Sequence, residues 1–265
     1  MGRLEGKVAF ITGAARGQGR SHAVRLAEEG ASIIAMDICE QIPTVFYPMA
    51  TSEDLAETER LVKEAGGAIV TSIGDVRNIE DVQNAYNAGI EQFGKVDIVL
   101  PPNAGIMPVI GPGEQRQAWH DAIDTMLTGV WHVLEVTVPD LVERGEGGSI
   151  IITSSAAGLT SIGLNTLPGQ VGYSAAKHGV VGLMRIYAKQ LAPPHSIRVN
   201  TIHPTGVNTP PMVANLEYAE FLGANPDVAA DESYKNPMPV ELIEPSTSAT
   251  PSSTWPPTKA ATSPA

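Results

Sequence analysis

The chain has 265 residues, enough to bury a full doubly wound core and too long for a small disulfide-stapled fold. Hydrophobic residues are 43% and charged residues 17%, ordinary globular usage, so a wholly disordered or fibrous chain is excluded. Lys plus Arg is 17 against 29 Asp plus Glu, and the net charge of −12 repels phosphate backbones and anionic lipid, so neither nucleic acid nor membrane is expected as a partner. The single cysteine, Cys39, has no second thiol to pair with, the six histidines lack metal-ligand spacing, and no apolar leader or anchor is read. A cytoplasmic protein without a metal is expected.

Short β-branched runs alternate with amphipathic stretches, which is the pattern of βαβ units. Strands are predicted at Val8–Thr12, Ser32–Asp37, 68–73, 96–100, 149–153 and Ile197–Ile202, and helices at 19–29, 53–65, Ile79–Phe93, 117–136 and 173–191. Most strands are continuous apolar runs, as a parallel sheet covered on both faces requires. The expectation is an α/β chain: a doubly wound parallel sheet in a three-layer sandwich, forming one domain over 1–245.

Two segments break the rhythm. The loop 39–52 (CEQIPTVFYPMATS) is longer than usual after a strand and reads as a lid or rim, against the plainer reading of an insertion without a role. The tail 246–265 has no Asp, Glu, Leu, Ile or Val and reads as a disordered terminus.

Directly after the first strand, Thr12-Gly13-Ala14-Ala15-Arg16-Gly17-Gln18-Gly19 opens a helix whose free N–H groups and dipole attract a pyrophosphate. Such a turn alone is common at helix starts. Asp37 adds the context: it ends the second strand 20 positions after Gly17, where a carboxylate accepts the adenosine ribose hydroxyls and repels a ribose phosphate. NAD is therefore favoured over NADP, although Arg16 offers a phosphate a partner.

Tyr173-Ser174-Ala175-Ala176-Lys177 sets a phenol and an ammonium four residues apart, on one helix face, and Ser155 follows the fifth strand. A cation beside the phenol stabilises the phenolate, so Tyr173 is read as the base for an alcohol proton, Lys177 as its tuner and Ser155 as the anchor of the substrate oxygen. A Y-x-x-x-K pair alone is an ordinary surface pair; its conjunction with the cradle, Asp37 and Ser155 is not.

Taken with Asp75-Val76, Asn103-Ala104-Gly105 and His203-Pro204-Thr205-Gly206-Val207-Asn208-Thr209, these motifs resemble the short-chain dehydrogenase/reductase family from Leu4 to Pro245. The resemblance implies a Rossmann fold and a homo-tetramer. It also implies a cofactor set: Gly13, Arg16, Gly17, Gln18 and Gly19 at the phosphates, Asp37 and Ile38 at the adenosine, and Asp75 and Val76 flanking the adenine. Asn103, Ala104 and Gly105 then line the cleft, Tyr173 and Lys177 stand at the nicotinamide ribose, and Val207 and Thr209 at the carboxamide. A substrate lid is expected over about 210–238. More narrowly, the long loop with AAKHGVVGLMR and HPTGVNTP resembles the carveol-dehydrogenase-like, mycofactocin-coupled branch. That implies a terpenoid-like secondary alcohol, NAD held without exchange and mycofactocin as electron acceptor.

Three departures stand out. Met126 occupies the place of a family asparagine that anchors a proton-relay water, so the relay is either rebuilt or impaired. Pro101-Pro102 stiffens the approach to the cleft. The family's last helix and strand are missing after Glu244-Pro245, and DNA encoding VDISNAIVYLASDEGRYVTG yields the whole tail, Trp255 included, when read one base later. A frame slip near codon 245 is therefore expected, with a genuine disordered terminus as the rival. A catalytically impaired NAD-binding protein is the alternative function. Trp119 and Trp131 are expected to pack against neighbouring helices.

Overall fold

The computed structural model describes residues 2–101, 105–108, 114–160, 166–226 and 242–247. The apolar runs form strands β1 (Val8–Thr12), β2 (Ser32–Asp37), β3 (Ile69–Ile73), β4 (Ile98–Leu100), β5 (Gly148–Thr153) and β6 (Ile197–Ile202). All pair in parallel, in the order β3-β2-β1-β4-β5-β6. Alternate residues face opposite layers. Val8 and Phe10 of β1 with Ile34 and Met36 of β2 pack on helices α3 (Ile79–Phe93), α5 (Gly129–Arg144) and α6 (Pro168–His195). Ala9, Ile11, Ile33 and Ala35 pack on α1 (Gly17–Glu28) and α2 (Ser52–Glu64). This is the expected three-layer Rossmann architecture.

Local chemistry sets the helix ends. Thr51 caps α2 in a reciprocal box with Asp54, and α3 runs from an Asn78 cap to Gly94, whose φ of 76° suits glycine. The start of α1 is different, because Arg16 makes no side-chain cap there and leaves first-turn amides open. The chain runs outward through β1, β2 and β3, then returns to lay β4 on the other side of β1. That reversal opens a crevice above the carboxyl ends of the strands.

Several boundaries differ from expectation. The helix predicted over 117–136 is two helices, α4 (Gln115–Ile123) and α5, joined by a turn of π-helix at Asp124–Thr128. Helix α5 continues past Pro139, held on both sides of it by buried Val133, Leu134 and Leu141, and α6 continues through Pro193 and Pro194 to His195. Packing there outweighs the break that proline favours. Trp119 packs on Gly172 of α6, and Trp131 is 43% exposed on α5, its ring beside that of His132.

Two short helices, α7 (Pro210–Val213) and α8 (Leu216–Ala224), were not predicted, and Ile243 pairs in parallel beside Val207. Among the described residues the sheet ends at β6 and no helix is long and apolar enough to cross a membrane. The predicted lid is described only to 226, and 248–265 lie outside the described residues, as do Asn103 and Ala104.

Candidate active site

One cavity lies above the crevice, lined at one end by Gly13, Arg16, Gly17, Gln18, Asp37 and Ile38, and beside these by Asp75, Val76 and Gly105. Ser155, Tyr173, Lys177, Val207 and Thr209 line it further along. Gly17 has φ 57° and sits where a Cβ would come within 3.1 Å of Thr209 Cγ2. Gly19 does not line the cavity; a Cβ there would overlap the Gly13 carbonyl oxygen, so its role is the close approach of α1 to β1. Asp37 ends β2 nearly buried, its carboxylate accepting from Ala15 N at 2.9 Å and Cys39 N at 3.3 Å. Burial pushes its carboxyl up, against the pull of those amides and of Arg16. Cys39 itself, at φ 50°, has its thiol pushed up to about 12, first by burial and then by Asp37.

Residues from β5 and α6 meet deeper in the cavity. Ser155 follows β5 and caps a short 3₁₀ turn, its Oγ accepting from Ala157 N at 3.2 Å. The Ser155 side chain stands beside the Tyr173 phenol and opposes the rise that burial causes in it. Lys177 lies one helical turn on, with Nζ 5.8 Å from the Tyr173 ring centre and donating to Thr153 O at 3.0 Å. The reading from sequence needs Lys177 and a positively charged nicotinamide together to lower the phenol. Of the protein's own groups, burial pushes Tyr173 up, with Ser155 opposing it, and burial lowers Lys177 from 10.5 to about 8.

The loop 39–52 is a strap across the cavity. Ile42, Thr44, Val45 and Tyr47 are each 2% exposed. Gln41 ties the strap internally through Val45 O and Met49 N, and Arg16 Nη2 donates to Pro48 O at 2.6 Å on the near side. On the far side Thr44 donates to the buried Asp121 at 2.6 Å, and Met107 N donates to Tyr47 Oη at 3.0 Å. Asp121 also accepts from Gln117 and Arg77, and Arg77 holds Asp75. Under the strap an apolar seam joins Ile42, Val45 and Tyr47 to Ile106, Ala176 and Met126. Met126 is 1% exposed within that seam, so its thioether serves packing, and the side chain carries no relay.

A family model for short chain dehydrogenase matches residues 7–220. The chain belongs to the short-chain dehydrogenase family. This dehydrogenase is 54% identical over 242 residues to an uncharacterized oxidoreductase of Mycobacterium tuberculosis, covering 91% of this chain and 86% of the relative. It is 43% identical over 252 residues to a (-)-trans-carveol dehydrogenase of Rhodococcus erythropolis, covering 92% and 88% respectively. A crystal structure of carveol dehydrogenase from Mycobacterium avium in complex with NAD is similar at a TM-score of 0.81 and 44% identity, covering 96% of this chain and 91% of that one.

Sequence reasoning marked the strap of this dehydrogenase by its length but not its cavity-facing Ile42, Tyr47, Met49 and Ala50, nor Ile106 and Met107; Met212 it placed only as part of the lid. The signal was the density of apolar residues in IPTVFYPM, unusual for a solvated loop.

Proposed function

We propose that this dehydrogenase oxidises an apolar secondary alcohol, or reduces the matching ketone, with NAD held in the cavity under the strap. The observation that carries the reading is the meeting of Ser155, Tyr173 and Lys177 in one cavity with the uncapped start of α1 and the buried Asp37. These residues fit a dinucleotide. The open amides and the glycine cradle suit a pyrophosphate. Gln18 Oε1 and Thr125 Oγ1, on cavity-lining residues, are buried without a hydrogen-bond partner among the described residues, which a polar ligand relieves. Asp37 would hold the adenosine ribose with Ile38 beside it, Asp75 and Val76 the adenine, Lys177 the nicotinamide ribose, and Val207 and Thr209 the carboxamide. A carboxylate at 37, with Arg16 already donating to Pro48, supports NAD over NADP.

When bound, NAD supplies the hydride acceptor. Ala157 N occupies an acceptor site of Ser155 Oγ, and the serine O–H is left to donate to the substrate oxygen. Tyr173 takes the alcohol proton, and Lys177 in its charged form steadies the phenolate. Met107 and Met212 give the substrate end its apolar lining and support a terpenoid-like alcohol, in keeping with the name of the Rhodococcus relative. We further assign to the strap the retention of NAD between turnovers, with electrons passed to a mycofactocin-type acceptor, in a cytoplasmic homo-tetramer.

The test is to purify the chain, remove free nucleotide, add cyclic apolar secondary alcohols and follow reduced-nicotinamide absorbance. A rise that stops at one reduction per bound cofactor supports both reaction and retention; continued turnover with added NAD supports the reaction and removes the retention. The buried Met126 favours one second reading, an NAD-binding protein without turnover. Bound NAD with no absorbance change, in this chain and in one whose residues 246–265 are replaced by VDISNAIVYLASDEGRYVTG, establishes that reading and overturns the first.

A further inference from the structure

Past the ends of β5 and β6 the two chain segments remain stitched together. Ser154 N donates to Ile202 O at 2.9 Å, and Ala156 N donates to Pro204 O at 3.0 Å. Between these bonds Nδ1 of His203 lies 2.9 Å from the carbonyl oxygen of Ser155, and Nε2 lies 2.9 Å from Thr201 Oγ1. The Ser155 carbonyl also accepts from Gly158 N at 2.9 Å.

We propose that His203 is a positioning residue for Ser155, its ring clamping the serine's carbonyl and so fixing where Oγ meets the substrate oxygen. The inference rests on the reaction proposed above. A carbonyl oxygen only accepts, so Nδ1 carries the hydrogen, while the Thr201 hydroxyl donates to Nε2 and holds the ring in that tautomer. With its carbonyl held by His203 and Gly158, and its Oγ by Ala157, Ser155 has little freedom to turn. The anchor is stiff as well, because Pro204 follows and fixes its own φ. From there the chain leads straight to Thr205, Val207 and Thr209 on the cavity wall. His203 therefore ties the anchor of the substrate oxygen to the wall proposed for the carboxamide, and keeps the spacing between them.

The experiment compares His203→Ala, His203→Asn, His203→Gln and Thr201→Val for the rate of nicotinamide reduction, substrate KM, nucleotide binding by fluorescence and unfolding midpoint. The amide nitrogen of asparagine stands where Nδ1 stood; that of glutamine reaches further. His203→Ala and His203→Gln are expected to slow reduction at least about tenfold with KM little changed, and His203→Asn to recover most of the rate. Thr201→Val, which leaves the ring but not its orienting hydroxyl, falls between. Wild-type rate in His203→Ala, or equal losses in all three His203 variants, overturns the proposal. Where His203→Ala does not fold, the contrast between asparagine and glutamine decides. Nitrogen-15 NMR of the wild type, with the signal assigned by its loss in His203→Asn, needs no turnover at all. Hydrogen on Nδ1 in the neutral ring supports the clamp, and hydrogen on Nε2 overturns it. A wild type that turns over no alcohol fails the proposed reaction, and the tautomer then decides the clamp separately.

Discussion

The rim that follows β2 and the rim that follows β6 face each other across one cavity, and they are held in different ways. The strap 39–52 buries Ile42, Thr44, Val45 and Tyr47 and is bonded at both ends, to Arg16 on one side and to Asp121 and Met107 on the other. Helices α7 and α8 bury no residue, and Val213 and Leu216 are 58% and 75% exposed. A segment with few buried contacts opens at low cost, and one with many does not. The difference matches a cavity in which one ligand stays and another comes and goes.

Removing chemistry from the cavity floor while leaving both rims alone gives the largest expected effect. Tyr173→Phe keeps the ring in its buried place and loses the phenol beside Ser155. Reduction of bound NAD by alcohol is expected to slow about 10³-fold, the span of a general base, with substrate KM little changed. Stopped-flow absorbance measures it, and a rate near wild type would move the reaction away from this floor and leave the comparison of rims without a purpose.

The same floor predicts a pH dependence of stability. Lys177 falls from an ordinary 10.5 to about 8 in the fold because burial penalises the ammonium. Between those values the unfolded chain binds the extra proton, so stability rises as pH climbs through the window. The raised Tyr173 phenol acts the other way only above about 10, where an unfolded tyrosine ionises. The lysine contributes at most about 3 kcal/mol across the window. Urea unfolding at pH 8 and near pH 10 should show a gain in the wild type that Lys177→Met lacks, and equal gains in both would place the charge elsewhere.

How far these features were legible follows from their range along the chain. Strands β1, β2 and β6 were bounded to the residue because their apolar runs end in glycine or polar turns, and the cradle and the Tyr173–Lys177 pair are local spacings. The π-turn at Asp124–Thr128 was not readable, since its apolar pattern continues a helix on both sides. Nor was the grip of the strap: Thr44 and Asp121 are 77 residues apart, and nothing near either one announces the other. The 43% exposure of Trp131 was hidden for a related reason, because a helix pattern shows which residues share a face but not what lies against it. His203 was visible as the first residue of a family motif, but its contact with Ser155 appears only once β5 lies alongside β6.

The strap comes next in size. Thr44→Val keeps the side chain's shape and removes the hydroxyl that the strap donates to Asp121, which retains Arg77 and Gln117. A buried hydrogen bond to a charged group contributes about 1.5–3 kcal/mol, and if it exists only while the strap is closed, nucleotide should leave about tenfold faster. Trapping released NAD with a second binding protein measures that rate. A variant that changed substrate KM and left nucleotide release alone would reverse the roles of the two rims.

The smallest expected effect belongs to the opposite rim. Met212 lines the cavity from α7, a helix of four residues with nothing buried, so Met212→Ser removes apolar surface from the substrate end without opening a core. Partial loss of a methionine side chain's contact corresponds to about 1 kcal/mol, a rise in KM of about fivefold for an apolar cyclic alcohol. A small polar alcohol that never reached the methionine should show no change. Because the substitution touches neither the strap nor the sheet, the unfolding midpoint and the rate of nucleotide release should stay within error of wild type. If Met212→Ser instead released nucleotide as fast as Thr44→Val, the two rims would form a single closing unit, and the contrast in burial between them would carry no division of labour.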